Sequence, residues 1–144
     1  MKKILIIHGP NLNLLGKREP EIYGSLSLDE INSKINALAD SQKVSVEIMQ
    51  SNSEGEIVSI IGNSQGKYGA IVINPAAYTH TSVAIRDAIS STGIPAVEVH
   101  ISNIYKREEF RRKSLISGVA AGQISGFGIN SYLLGLLAAI DLVK

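Results

Sequence analysis

The sequence predicts an α/β domain in which five parallel strands form one sheet with helices on both faces. Three observations carry that reading. Short apolar runs alternate with amphipathic helical stretches along the whole chain, the βαβ rhythm of a parallel sheet. Residues 4–7 and 70–73 are continuously apolar, as strands covered on both faces are. The 144 residues contain no linker, repeat or low-complexity tract, a length that suits one domain with a proper core.

Each element follows from its local pattern. Residues 4–7 predict the first strand, and a Gly/Pro/Asn-rich loop runs from 9 to about 25. Ser27 and Glu30 have capping-box spacing, and Leu28, Ile31, Ile35, Leu38 and Ala39 then recur at helical intervals. Val44, Val46 and Ile48 alternate with polar neighbours, as a strand near a sheet edge does. A helix is expected over 54–65, with Ile57, Ile60 and Ile61 on one face and Gly66 as its stop. Residues 70–73 form the next strand, ending at Asn74-Pro75. A helix over 82–91 closes near Gly93, a strand covers 96–100, and a short charged helix is expected over 108–113. Residues 122–125 make a fifth strand, and 130–143 a final Leu/Ala-rich helix. With right-handed crossovers, these elements give one flavodoxin-like, doubly wound domain spanning residues 1–144.

Composition narrows the function classes. Hydrophobic residues make up 44% and charged residues 19%, as in ordinary globular proteins. A formal net charge of +1 supplies no field to recruit nucleic acid or an anionic membrane, although a local arginine cluster could hold a small anion. Cysteine is absent, which excludes disulfides, thiolate metal sites and cysteine nucleophiles. The first apolar run is only four residues, followed by His8 and Asn11 without a cleavage-like site, unlike a signal peptide. No stretch approaches the roughly 20 apolar residues of a membrane helix. The expected location is the cytoplasm.

Open α/β sheets bind ligands at the carboxyl ends of their strands, and three such ends here are rich in Asn, His and Ser. They are residues 9–13, 74–81 and 98–103. The first loop also holds Arg18 and Tyr23, five residues apart. A free phenol, with a pKa of about 10, is a poor base, but a guanidinium within about 4–6 Å favours its charged form. Arg18 and Tyr23 could together make a general base. Each residue alone also fits a structural role. Tyr23 could be a packing residue, Arg18 could pair with Glu19 or Glu21, the asparagines could cap turns, and His100 could be hydrogen-bonded structure. Their convergence is what points to a site.

The motifs are long and ordered. Gly9-Pro10-Asn11-Leu12-Asn13-Leu14-Leu15-Gly16-Lys17-Arg18-Glu19-Pro20 with Tyr23-Gly24 resembles the opening signature of type II 3-dehydroquinate dehydratases. Asn74-Pro75-Ala76-Ala77-Tyr78-Thr79-His80-Thr81-Ser82 with Arg86-Asp87-Ala88 resembles the second motif. Glu98-Val99-His100-Ile101-Ser102-Asn103-Ile104 with Arg107-Glu108-Glu109-Phe110-Arg111-Arg112 resembles the third. The resemblance implies a cofactor-independent, metal-free anti elimination of water from 3-dehydroquinate, giving 3-dehydroshikimate in the shikimate pathway through an enolate. It gives Tyr23 the role of base, Arg18 that of its activator, and Asn11 a share in holding a water at the enolate. His100 matches the acid, and Glu98 the carboxylate that orients and polarises it. Asn74, His80 and Arg111 match side chains that hold ring hydroxyls, and the amides of Ile101 and Ser102 match the carboxylate site. Asp87 matches a residue reaching in from a neighbouring subunit, within trimers that build a homododecamer. Ala76 stands where many members have glycine, and Tyr105 where histidine is common.

Rival readings fit less well. A flavodoxin-like module binding FMN or phosphate would want small residues and free amides after the first strand. That loop instead carries Leu12, Leu14 and Leu15, and no phosphate-loop or dinucleotide fingerprint appears. A receiver-type domain needs aspartates at the ends of strands one and three, where His8-Gly9 and Asn74-Pro75 stand. His8, His80 and His100 lack metal-ligand spacing. A Schiff-base route would need a buried lysine, and the lysines lie in ends, loops or polar faces.

Overall fold

A computed structural model describes residues 3–17 and 19–144. The order of elements is β1 (Lys3–His8), a single turn α1 (Pro20–Tyr23), α2 (Leu28–Ser41), β2 (Val46–Gln50), α3 (Glu54–Gly62) and β3 (Tyr68–Asn74). Then come α4 (Val83–Thr92), β4 (Ala96–His100), β5 (Gly122–Ser125) and α5 (Ile129–Val143). The five strands are parallel, in the order β2-β1-β3-β4-β5. β2 is an edge strand, as its alternating pattern predicts.

The period of two along each strand decides which helices cover which face. Ile4 and Ile6 of β1, Ala70 and Val72 of β3, and Val97 and Val99 of β4 face α2 and α5, where they meet Ile31, Ile35, Tyr132 and Leu136. Their neighbours Leu5, Ile7, Ile71, Ile73 and Ala96 face α3 and α4, against Ile57, Ile61, Ile85 and Ile89. At about 25 cal/mol per Å² of apolar surface buried, these two cores are the main favourable term in folding. α5 sinks unusually deep into the sheet. A Cβ on Gly135 would stand 2.6 Å from Cγ1 of Val99 and 3.3 Å from that of Val72.

Helix starts follow the sequence signals. The Ser27 hydroxyl accepts from the Glu30 amide and the Glu30 carboxylate accepts from the Ser27 amide, both at 3.2 Å. Two ends differ from expectation. α3 stops at Gly62 rather than at 65, because the Ser64 hydroxyl donates to the Ile60 carbonyl at 2.8 Å. That carbonyl is the one the Ser64 amide would take in a continued helix, so the amide turns to Ile61 instead. Residues 108–113 do not form an α-helix; only the 3-10 turn Glu109–Arg111 is present. Its single large apolar residue, Phe110, is 65% exposed, so no buried face offsets the cost of nucleating a helix.

Candidate active site

The strand order reverses direction between β1 and β3, and the carboxyl ends of β1, β3 and β4 converge there, where α/β sheets bind ligands. Glycine makes the approach possible. A Cβ on Gly9 would lie 2.7 Å from the Pro75 carbonyl oxygen, a backbone contact that could not give way. Pro10, Asn11, Tyr23, Ala76, Ala77, His80, His100, Ser102, Ile104, Arg107 and Arg111 line a cleft of about 150 Å³ at this edge. Ala76 takes φ +51°, a left-handed conformation that favours glycine.

One side of the cleft is built on β4. Glu98 and His100, two residues apart, share one face of the strand, and the His100 Nε2–H donates to Glu98 Oε2 at 2.6 Å. Glu98 has no exposed surface and His100 only 5%. Burial works to raise the Glu98 carboxyl, but the bond to His100, its charge, and the hydroxyls of Thr79 and Ser117 outweigh it, holding the group at about 2. Glu98 is therefore a carboxylate at any ordinary pH. With Nε2 committed to it, Nδ1 is the histidine nitrogen left to exchange a proton.

Tyr23 reaches the cleft from a separate element, the end of the turn α1. Arg107 Nη1 donates to its hydroxyl oxygen at 2.7 Å, with the guanidinium carbon 5.2 Å from the ring centre. Arg18, the expected partner of Tyr23, lies outside the described residues. Arg107 belongs to the third sequence motif but had no role in the sequence reading. It reaches Tyr23 because the turn Ile104–Lys106, capped by the Asn103 side chain on the Tyr105 amide, folds the chain back over the cleft.

The remaining expected residues fall into two groups. His80, Arg111, Asn11 and Ser102 line the cleft. His80 Nδ1–H donates to the Lys113 carbonyl at 2.7 Å. Its pKa is lowered, by burial first and then by nearby His100 and Arg111, against the raising effect of that carbonyl and of Glu98. The ring thus keeps a neutral Nε2 as an acceptor. Arg111 is steadied by Glu108 at 2.9 Å, and Asn11, at φ +67°, donates its amide to Asn52 Oδ1 at 3.0 Å. Asn74, Asp87 and Ile101 are not among the lining residues. Asp87 is exposed on α4, and the Ile101 side chain is buried in the core.

Asn74 is buried beneath the cleft within a polar network that sequence reasoning did not find. Its Oδ1 accepts from the Ala76 amide and its Nδ2 donates to the Tyr132 hydroxyl, both at 3.0 Å. Tyr132 meets His8 Nδ1 at 2.8 Å, and His8 Nε2 meets Asn32 Oδ1 at 2.7 Å. Burial lowers His8 to about 4 despite the bond to Asn32, so the ring is neutral. Because Asn32 Oδ1 can only accept, the His8 proton sits on Nε2 and Tyr132 donates to Nδ1. Burial raises Tyr132 well above an ordinary phenol. These two titratable groups are fixed structure under the site floor.

Among the described residues, no group of three His, Cys, Asp or Glu side chains could hold a metal, and no helix is long and apolar enough to cross a membrane.

Comparison with known proteins agrees with this architecture. The family model described as dehydroquinase class II matches residues 2–140. A Geotalea daltonii protein named 3-dehydroquinate dehydratase is 58% identical over 142 residues, covering 99% of each chain. The crystal structure of a type II dehydroquinase from Butyrivibrio crossotus superposes with a TM-score of 0.94 at 46% identity, covering 96% of this chain and 97% of that one. That from Propionibacterium acnes gives 0.90 at 39% identity, covering 98% of each. Matched along nearly its whole length in both sequence and fold, the chain belongs to the class II dehydroquinase family.

Proposed function

We propose that this protein is a 3-dehydroquinate dehydratase that removes water by a cofactor-independent anti elimination. The carrying observation is that Tyr23, held by a cationic donor, and His100, held by a buried carboxylate, line one small cleft from different elements.

In the first step the Tyr23 phenolate takes a proton from C2, beside the ketone, and the C2–H electron pair moves into an enolate. Arg107 supplies a charged hydrogen bond to the oxygen that must carry negative charge to act as a base. Arg18 is assigned the same task by the family motif. The enolate oxygen is steadied by fixed dipoles, a water held by Asn11 among them. The enolate pair then forms the C1–C2 double bond while the C1–O bond breaks, and the departing hydroxyl takes the proton from His100 Nδ1 to leave as water. Glu98 sets the ring's orientation and tautomer throughout. Protons return to their starting places through solvent, so turnover needs no oxidant or metal.

The ring hydroxyls fit His80 Nε2 and Arg111, and the substrate carboxylate fits the turn at Ile101 and Ser102. Asn74 contributes from below, and Asp87 from a neighbouring subunit of a homododecamer. The cytoplasm and the shikimate pathway are the corresponding setting. Leu12 and Leu15 are folded into the core, so the first loop offers no small-residue phosphate cradle, which weighs against a flavin.

The test is to add 3-dehydroquinate to purified protein and follow the conjugated enone of the product by ultraviolet absorbance. Substrate deuterated on one face of C2 reports the stereochemistry. No enone would overturn the activity, and loss of the hydrogen syn to the hydroxyl would overturn the placement of base and acid.

A further inference from the structure

A carboxylate has about four lone-pair positions, and Glu98 receives four side-chain donors. Besides His100 Nε2 at 2.6 Å, they are Thr79 Oγ1 at 2.5 Å, Ser117 Oγ at 2.8 Å and Ser114 Oγ at 2.9 Å from both oxygens. Among the described residues its one ion-pair partner is His100. The burial of this charge is therefore offset by His100 first and, beyond it, by neutral hydroxyls.

The hydroxyl protons have a fixed direction. Ser114 Oγ accepts from the amides of Ile116 and Ser117, both at 3.0 Å, so its own proton is left for Glu98. Ser117 Oγ accepts from Gln123 Nε2 at 2.8 Å, so its proton also points inward. The Gln123 amide is fixed from the inner end: the Glu98 carboxylate can only accept, so Ser117 donates to it and takes the Gln123 Nε2–H, which leaves Oε1 facing Ser125 Oγ at 3.1 Å and Tyr105 Oη at 3.3 Å. Donors thus run one way from β5 to the carboxylate, an arrangement in which each bond polarises the next.

We propose that Ser117, oriented by Gln123, is a positioning residue for the His100–Glu98 pair. Its hydroxyl holds the carboxylate in one rotamer and shares its charge, so that His100 is aimed into the cleft by a moderated acceptor. A stronger acceptor would grip the Nε2–H harder and retain the transferable proton. The structural half of this proposal concerns Ser117, Gln123, Glu98 and His100 alone; its kinetic half rests on His100 being the proton donor of the proposed elimination. The other titratable groups bordering His100 are His80 from the turn after β3, Arg107 and Arg111 from the loop after β4, and Tyr23 from the first loop. None changes in the variants below.

The experiment compares wild type with Ser117→Ala, Ser117→Thr and Gln123→Leu. Proton NMR follows the His100 Nε2–H resonance, assigned by its loss in His100→Gln. In Ser117→Ala the carboxylate loses a donor, so the resonance moves downfield; Gln123→Leu gives a smaller shift the same way, and Ser117→Thr restores the wild-type position. With 3-dehydroquinate, kcat of Ser117→Ala falls on the order of tenfold, the worth of one hydrogen bond to a charged group, while KM stays close to wild type. An unmoved resonance in a folded Ser117→Ala overturns the proposal. If Ser117→Ala does not fold, Gln123→Leu decides by the same resonance. A wild-type protein without turnover would defeat the proposed function, yet the resonance would still answer for the positioning role.

Discussion

Replacing Glu98 by Gln should remove one well-defined part of the acid sensitivity of this fold. The carboxyl stands at about 2 in the folded protein against an ordinary value of 4.5. Unfolded chains therefore bind a proton that folded chains refuse as pH falls between those values. The sign is that of a depressed carboxyl: its stabilisation is complete above about pH 4.5 and disappears as pH drops through about 2. At 1.36 kcal/mol per pKa unit, the contribution is about 3 kcal/mol. His8 acts in a higher window. Buried neutral at about 4 against 6.5, it costs stability progressively as pH falls from 6.5 to 4, again by about 3 kcal/mol.

The two windows can be separated with urea titrations at closely spaced pH. Between pH 6.5 and 4.5, wild type and Glu98→Gln should lose stability nearly in parallel, because His8 is common to both and only the small effect of Glu98 on His80 differs. Below pH 4.5 the wild type should fall faster. With a urea slope of about 1.5 kcal/mol/M, the extra loss is a midpoint shift of about 2 M by the acid end. The carboxamide introduced by Glu98→Gln would leave hydroxyl donors poorly matched and lower the whole curve, so the difference in slope carries the information rather than the offset. Parallel curves below pH 4.5 would refute the idea that Glu98 is held as a carboxylate by its donors.

Tyr23→Phe should lower kcat on the order of 10²–10⁴-fold while substrate still binds, checked by steady-state kinetics beside calorimetric titration. Arg107→Ala should impair the same step, with less loss for Arg107→Lys, because a lysine can also place a charged donor on the phenol oxygen. Ala76→Gly relieves a left-handed alanine and should stabilise the fold by about 1 kcal/mol, raising the calorimetric Tm by about 3 °C. Tyr132→Phe deprives His8 Nδ1 of its donor and the Asn74 amide of its acceptor; a loss of about 1–3 kcal/mol in urea unfolding is expected. Borohydride added with substrate should leave activity intact, and covalent trapping on a lysine, detected by mass spectrometry, would contradict the enolate route.

Much of this architecture can be read from local pattern because local physics decides it. The continuous apolar runs of β1 and β3 are buried on both faces, and the Ser27–Glu30 box closes as its spacing implies. The site edge was legible because polar residues at strand ends have a fixed place in an open parallel sheet. What escaped the sequence has a common cause. α3 ends early through a serine that competes for a backbone carbonyl, a choice that helical periodicity does not register. Arg107 lies 84 residues from Tyr23, and only the folded loop after β4 brings them together. Thr79, Ser114 and Ser117 are small neutral hydroxyls, common everywhere in proteins, and their shared orientation toward one carboxylate exists only in three dimensions. The cage of Asn74, Tyr132, His8 and Asn32 joins four elements, so no single segment carries its signature.

The bare backbone at Gly135 has a consequence beyond tight packing. One helical turn earlier on the same buried face stands Tyr132, the phenol on which the Asn74 amide rests. The elevation of α5 above the sheet therefore sets the height of a prop under the cleft. Relatives could retune the cavity by changing residues at the helix–sheet seam, while every side chain facing the substrate stayed the same.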